Sequence, residues 1–380
     1  MVKVLYILNN AFNRGGTEAV VLNYYSHIDH NEVDIEFAVH ATEKEYDESI
    51  LTQELLKQGV VIHRITPRKE SIEKNKEDLR NLFTEMNYDI VHTHTDAVGS
   101  YILKIAKECN INIRVAHSHN TAFTFKPDSL KSFLKYIYLE KCRLDIRHAA
   151  TEYMACSNVA AQWLFGKKKS KETYILNNAI DIGKYAYSDK IRQEIRKQYG
   201  FKEDDLIIGN VGRLEHQKNQ AFLLDVLAEL KKTKDNVKLL IIGEGSLRKE
   251  LEDKAKKMSL ENDLCLPGSV DNVEKVLNVF DIFAFPSIFE GFAVSIIEAQ
   301  ANGLKCIAND TPRVTKDTDF TKNTRWIEAN DPVIWKNEIL DMDFSRDKNA
   351  GEKIKAAGFD IVSEAKKLED YYKGLVENDQ

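Results

Sequence analysis

Short apolar runs return along this chain with helical patterns between them, and that rhythm restricts the fold more than any single motif does. Lys3 to Leu8, Val33 to His40, Val60 to Ile65, Ile90 to His94 and Ile113 to His117 read as strands, each stopped by turn or polar residues. Helical periodicity fills the gaps through Leu51 to Gln58, Leu79 to Met86 and Ala97 to Glu108. Strand and helix alternating at this spacing predict a parallel sheet covered on both faces, with ligands beyond the carboxyl ends of the strands. The rhythm restarts at Leu206 to Val211, Val237 to Ile242, Leu264 to Val270 and Ile282 to Phe285. A polar, charged stretch running to about Glu203 separates the two sets and puts a boundary near residue 180. A chain of 380 residues has the length for two such cores. The predicted fold class is therefore α/β, with two doubly wound, Rossmann-like domains.

Within the second set, Asp281 to Asn309 is the stretch richest in chemistry. Its strand ends at Pro286 and Ser287, and a loop carrying Glu290 and Gly291 leads to a helix predicted around Ser295 to Ala301. Glu298 lies inside that helix, so the two acids are not neighbours on one helical face and must serve different groups of one ligand. Gly291 allows close backbone approach, and the N–H groups of Phe292 and Ala293, just ahead of the helix, suit an oxygen-rich anion. The plainer alternative is a strand, a turn and a helix with two solvated acids. Arg213 and Lys218, after the strand ending at Val211, offer two cations to a diphosphate, or else a surface ion pair. The turn Asn13 to Thr17, with Gly15 and Gly16 before a helix beginning near Glu18, suits a phosphate, or else is a turn that needs glycine for steric reasons. Gly243 and Gly245 imitate a dinucleotide fingerprint, but the third small position is Arg248, which excludes nicotinamide binding there.

The pattern Pro286-Ser287-x-x-Glu290-Gly291-Phe292, then Glu298, then Ala299-x-x-x-Gly303, resembles the donor-sugar signature of the family 4 retaining glycosyltransferases. That resemblance implies the GT-B fold, two Rossmann-like domains facing across a cleft, with residues 1–180 binding acceptor and 181–360 binding nucleotide sugar. The last helix, from about Ile361 to Val376, would cross back so that 361–380 packs on the first domain. Asn177 to Asp181 looks like the family's connection between domains, with Ala179 in place of glycine. By the same resemblance Glu290 contacts donor-sugar hydroxyls and Glu298 holds the ribose. Arg213 and Lys218 match the family's diphosphate-binding pair, and Gly15, Gly16, Gly212, Gly245, Gly291, Phe292 and Ala293 join the donor site. The segment Val115 to Asn120 resembles the family's strand-end histidine near the reacting centre, with His119 as the best match and His117 as the second candidate. The segment Gly268 to Val270 would lie near the base. Gln300, Asn302 and Lys305 depart from the usual pattern, in which apolar residues and a proline occupy these positions.

Two histidine pairs, His92 with His94 and His117 with His119, fall at strand ends, where residues two apart face the same way. No acid or thiol accompanies them in sequence, so no metal is expected and the imidazoles read as uncharged hydrogen-bonding groups. Asp317 with Asp319 and Asp341 with Asp343 read as turns. From 123 to 148 an apolar stripe of Phe133, Leu134, Ile137, Tyr138 and Leu144 runs beside basic residues that outnumber acids six to three. Such a helix rests either on its own core or on an anionic bilayer. Related enzymes with lipid-linked acceptors dock on membranes through this domain. Lys167, Lys168, Lys169 and Lys171 add a second basic run, or else only a solvated loop.

The net charge of −6 argues against a nucleic-acid partner. The first residues read as a strand rather than a signal peptide, and five cysteines without paired spacing read as reduced thiols. A cytoplasmic protein working at the inner face of the plasma membrane is expected. The expected activity is retaining transfer of a sugar, from a UDP-sugar or similar donor, to a glycan or lipid-linked saccharide in surface polysaccharide synthesis, with no metal and no cofactor. The alternatives are a sugar-nucleotide epimerase or phosphorylase on the same fold, and a silent sugar-nucleotide-binding subunit.

Overall fold

The computed structural model describes residues 1–379 except 14, 124–126, 291, 312, 313, 315 and 329. It divides into two compact units, Met1–Ala179 with Ile361–Gln380, and Ile180–Asp360.

The first unit is built on a seven-stranded sheet. Its strands are β1 (Val2–Leu8), β2 (Val33–His40), β3 (Ile62–Ile65), β4 (Ile90–Thr93), β5 (Ile113–Ser118), β6 (Glu152–Ala155) and β7 (Tyr174–Ile175). They lie in the order β3-β2-β1-β4-β5-β6-β7, every neighbouring pair parallel. The chain reverses direction across the sheet between β1 and β4, where Val4 pairs with Ile90 and Ile7 with Thr93. Both faces are covered, so β1 is apolar on alternate residues of each face: Val4, Tyr6 and Leu8 enter one core, Leu5 and Ile7 the other. The helix Ile361–Asp379 supplies Ile361, Ala365, Leu368 and Tyr372 to the core on the Tyr6 side.

The second unit repeats the scheme in a six-stranded parallel sheet. Its strands are β8 (Leu206–Val211), β9 (Val237–Ile242), β10 (Leu264–Gly268), β11 (Ile282–Phe285), β12 (Lys305–Asn309) and β13 (Thr324–Ile327), ordered β10-β9-β8-β11-β12-β13. Its reversal falls between β8 and β11, where Ile282 pairs with Ile208. Doubly wound sheets bind ligands outside the carboxyl ends of the two strands flanking such a reversal.

Several local readings needed correction. The third strand starts at Ile62 rather than Val60, and the helix expected from Leu79 begins at Ile72, capped by Ser71. Its first half is charged, so only its second half shows a helical apolar pattern. The lysine run from Lys167 to Lys169 is the end of the helix Asn158–Lys169, bent at Gly166, and not a loop. Helix Gly16–Tyr25 begins two residues earlier than its apolar pattern, because its first residues are glycine and threonine. The basic helix spans Leu130–Ala149, started by Ser129 and Ser132, which cap each other's backbone N–H groups. Its face is divided: Cys142, Ile146 and Ala149 are buried, whereas Leu130, Leu134, Ile137 and Leu144 are more than half or about half exposed. Asp319 is a buried acceptor for Thr324 and Trp326, Asp341 pairs with Arg325, and Asp343 accepts from Ser345.

Candidate active site

In the second unit the loops after β8 and β11 meet at the reversal of the sheet. The Lys218 ammonium lies 2.7 Å from Glu290 Oε1, with the Glu290 side chain only 8% exposed. Gln217 donates to Glu290 Oε2 and to the Phe289 carbonyl, while Ile288 N–H donates to the Gln217 carbonyl, so the two loops are stitched side chain to backbone. The same ammonium lies 5.6 Å from the centroid of Phe285, the last residue of β11. Arg213 is exposed, and among the described residues its guanidinium makes no ion pair. Two predicted residues are thus joined and a third stands beside them in sequence with its charge uncommitted.

Gly212 and Gly245 have different reasons for being glycine. A Cβ on Gly212 would only graze the Lys218 stem at 3.4 Å, whereas a Cβ on Gly245 would strike the Leu214 carbonyl at 2.3 Å. The loop after β9 therefore lies directly on the backbone of the loop after β8, fixed by Leu214 N–H to Glu244 O and Leu247 N–H to Leu214 O. Gly245 shapes the loop that presents Arg213 and Lys218.

Glu298 sits in the helix Val294–Ala301 and accepts from the Tyr185 hydroxyl at 2.8 Å. Desolvation raises its pKa above the usual glutamate value, Tyr185 opposes that by donating, and Glu274 adds to it. Ala293 is buried at the start of this helix, and Phe292 stacks on Phe359 at 5.5 Å. Gly291, the remaining predicted residue of this loop, lies outside the described residues. The unusual Gln300, Asn302 and Lys305 are all satisfied internally. Gln300 is fully buried between Thr318, Phe320 and Thr321, Asn302 holds the Tyr185 carbonyl, and Lys305 donates to Asn323. Beyond β12, a cavity of about 550 Å³ is lined by Asp310, Thr311, Val314, Lys316 and Glu328. Thr311 donates to the Ile288 carbonyl, tying this cavity wall to the loop that carries Glu290.

In the first unit, Gly15 precedes the helix Gly16–Tyr25 at the end of β1's loop. A Cβ on Gly15 would meet Glu18 Oε2 at 2.2 Å, so a carboxylate already lies at this positive helix end. His119 follows β5, with its backbone N–H held by Asp96 and its Nε2 2.9 Å from His94 Nδ1. His92 Nε2 in turn lies 3.1 Å from His117 Nδ1, and the Tyr372 hydroxyl 2.6 Å from His92 Nδ1. Burial pushes the His119 imidazole down to about 4 and holds His92, His94 and His117 well below the ordinary histidine value, their mutual repulsion adding to it. All four are neutral near pH 7. His94 Nε2 and His117 Nε2 are buried with no hydrogen-bond partner among the described residues. Such orphaned atoms ordinarily cost about 1–3 kcal/mol each.

Residues 191–342 match the family described as glycosyl transferases group 1, and residues 14–184 match glycosyltransferase family 4. A Bacillus subtilis protein that carries the name glycosyltransferase EpsF is 30% identical over 342 residues, spanning 89% of this chain and 86% of that protein. The chain belongs to the family 4 glycosyltransferases. An Escherichia coli UDP-Gal:α-D-GlcNAc-diphosphoundecaprenol α-1,3-galactosyltransferase is 27% identical across 79% of each chain. The crystal structure of Anabaena HepE in complex with UDP-glucose superposes with a TM-score of 0.77 at 16% identity, covering 98% of this chain and 100% of that one. That likeness is one of fold: both units have the doubly wound architecture of GT-B glycosyltransferases.

For a family 4 glycosyltransferase, the residues that sequence reasoning missed are the ones holding others in place. Tyr185, Gln217 and Asn302 position Glu298, Glu290 and Tyr185 respectively. Tyr372 lies on the last helix and Tyr6 on the first strand. Their hydroxyls lie 2.7 Å apart, a contact across 366 positions for which local pattern holds no signal.

Proposed function

We propose that this chain transfers a sugar, with retention of anomeric configuration, from a UDP-sugar to a hydroxyl of a lipid-linked saccharide during surface polysaccharide synthesis. The observation that carries the reading is the Lys218–Glu290 pair at the reversal of the second sheet, with Arg213 exposed beside it. An acid for sugar hydroxyls and cations for a leaving diphosphate are what cleavage of a sugar-phosphate bond requires. UDP is supported by the donors named for the E. coli relative and the Anabaena structure, and a lipid-linked acceptor by the relative's name.

In this reading residues 1–180 with 361–380 bind acceptor and 181–360 bind donor. Glu290 holds donor-sugar hydroxyls, Glu298 the ribose, and Arg213, Lys218 and the backbone around Gly212 the diphosphate. His119, kept neutral, is a hydrogen-bonding group near the reacting centre. The acceptor oxygen bonds to the anomeric carbon on the face the phosphate leaves, the carbon–phosphate-oxygen bond breaks, and the acceptor proton passes to the departing phosphate. Lys218 and Arg213 neutralise that phosphate, so the transfer needs no metal. The half-exposed apolar face of Leu130–Ala149, flanked by lysines, is the surface that meets an anionic bilayer. No helix among the described residues is long and apolar enough to cross a membrane.

The test is thermal stability against UDP, GDP, ADP and CMP, with Arg213→Ala as control. A nucleotide at about one hundred times its dissociation constant adds about 2.7 kcal/mol, a melting shift of several degrees. A shift with UDP that is lost in Arg213→Ala is expected. Equal shifts with all four, or none with UDP in a cooperatively melting protein, overturn the donor assignment.

A further inference from the structure

We propose that His92, His94 and His117 form a binding site for one divalent transition-metal ion, of the zinc, cobalt and nickel class, inside the first unit. The inference goes beyond the transfer reaction above, which uses no metal, and rests on the geometry of this cluster alone.

One nitrogen from each of the three imidazoles lies within 4.8 Å of the other two. A tetrahedral zinc site with Zn–N bonds of about 2.0–2.1 Å has nitrogens about 3.3 Å apart, so each has to move inward by under about 1 Å. Backbone order supplies the arrangement. His92 is the penultimate residue of β4 and His94 stands two residues on, facing the same way, while His117 comes from the parallel neighbour β5. The rings are close but stacked, His92 and His94 with centroids 4.2 Å apart and His92 and His117 5.2 Å apart, so they have to splay for one ion to lie in the plane of each.

The surroundings are those of a metal site rather than of a packed core. All three side chains are buried, at 0%, 5% and 1% exposure, yet His94 Nε2 and His117 Nε2 have no partner among the described residues. Buried imidazoles in a well-satisfied core donate and accept on both nitrogens. Two of the opposite nitrogens are held from outside, His92 Nδ1 by Tyr372, which is steadied by Tyr6, and His94 Nδ1 by His119, while His92 Nε2 and His117 Nδ1 face each other at 3.1 Å and exchange that hydrogen bond for the ion when it binds. An all-imidazole donor set with no carboxylate selects zinc-like ions over magnesium and calcium. Three protein nitrogens leave the fourth tetrahedral position to a small exogenous ligand such as water.

The site is tested on the full chain stripped with a chelator and then titrated with zinc by calorimetry and with cobalt by visible absorption. One ion per chain, cobalt bands of tetrahedral intensity, and at least a tenfold loss of zinc affinity in His94→Ala and in His117→Ala are expected. Tyr372→Phe should weaken binding about 10–100-fold without abolishing it, because it removes an outer partner and leaves all three ligands. His216→Ala, on the exposed His216 of the second unit, should change nothing. No zinc retained by the wild type, or affinity unchanged in both ligand variants, overturns the site. Should those variants fail to fold, X-ray absorption of the cobalt-loaded wild type decides: three imidazole ligands support the site, and one or none sinks it.

Discussion

Glu298 lies mid-helix but takes its hydrogen bond from Tyr185, 113 positions earlier, and Tyr185 in turn is held through its carbonyl by Asn302. The acid was legible in the sequence because its spacing from Glu290 matches a family signature. Its support was not, because no local pattern couples residues so far apart. Its protonation has a measurable consequence. Burial raises the folded-state pKa, so the native chain holds the proton more tightly than the unfolded chain does, and stability falls as pH rises from about 4.5 through the folded value. The amide introduced by Glu298→Gln does not titrate and has no such dependence. The variant should therefore match the wild type near pH 4 and exceed it at pH 7 in melting scans across that range. A gap that shrinks with rising pH would contradict the assignment. At the other acid, Lys218→Ala leaves a buried carboxylate without its cation and should cost about 1–3 kcal/mol in denaturant unfolding, whether or not nucleotide is present.

Among the elements, the helix Leu130–Ala149 carried two readings in its sequence, and exposure divides its face between them. Cys142 and Ile146 face the core, whereas Leu134 and Ile137 are 58% and 50% exposed. Changing both to aspartate should leave the melting point of the free protein nearly unchanged, within about 0.5 kcal/mol, because neither side chain fills the core. Flotation with vesicles rich in anionic lipid should fall sharply in the same variant. Equal flotation of variant and wild type would remove this helix as the docking element. The strands of the two sheets were legible because a sheet covered on both faces demands continuous apolar runs. β6, β12 and β13 were not read: β6 opens on Glu152, β12 begins at Lys305 and ends at Asn309, and β13 combines Thr324 and Arg325 with Trp326 and Ile327, so none stands out from its polar flanks.

At the scale of the molecule, the two-core architecture followed from the repeat of one rhythm, whereas the path of the last helix is set by contacts. Leu368 and Tyr372 are fully buried in the first unit, each worth about 1.5–3 kcal/mol of burial, against a whole-domain stability of about 5–15 kcal/mol. A chain cut after Asp360 should lose the cooperative melting of the first unit and become protease-sensitive within residues 1–179, while 180–360 stays protected; mass spectrometry of the fragments reads this directly. Protection of both halves would mean that the helix is dispensable.

The same connectivity orders events during synthesis. The ribosome finishes residues 180–360 before it makes 361–379, so the second unit has its entire sequence while the first still lacks a piece of its core. The half that starts first finishes last. Until the closing helix arrives, Tyr6 has no Tyr372 to meet and part of one face of the first sheet is uncovered. During that interval apolar side chains of the first core, Tyr6 among them, are exposed to wrong partners.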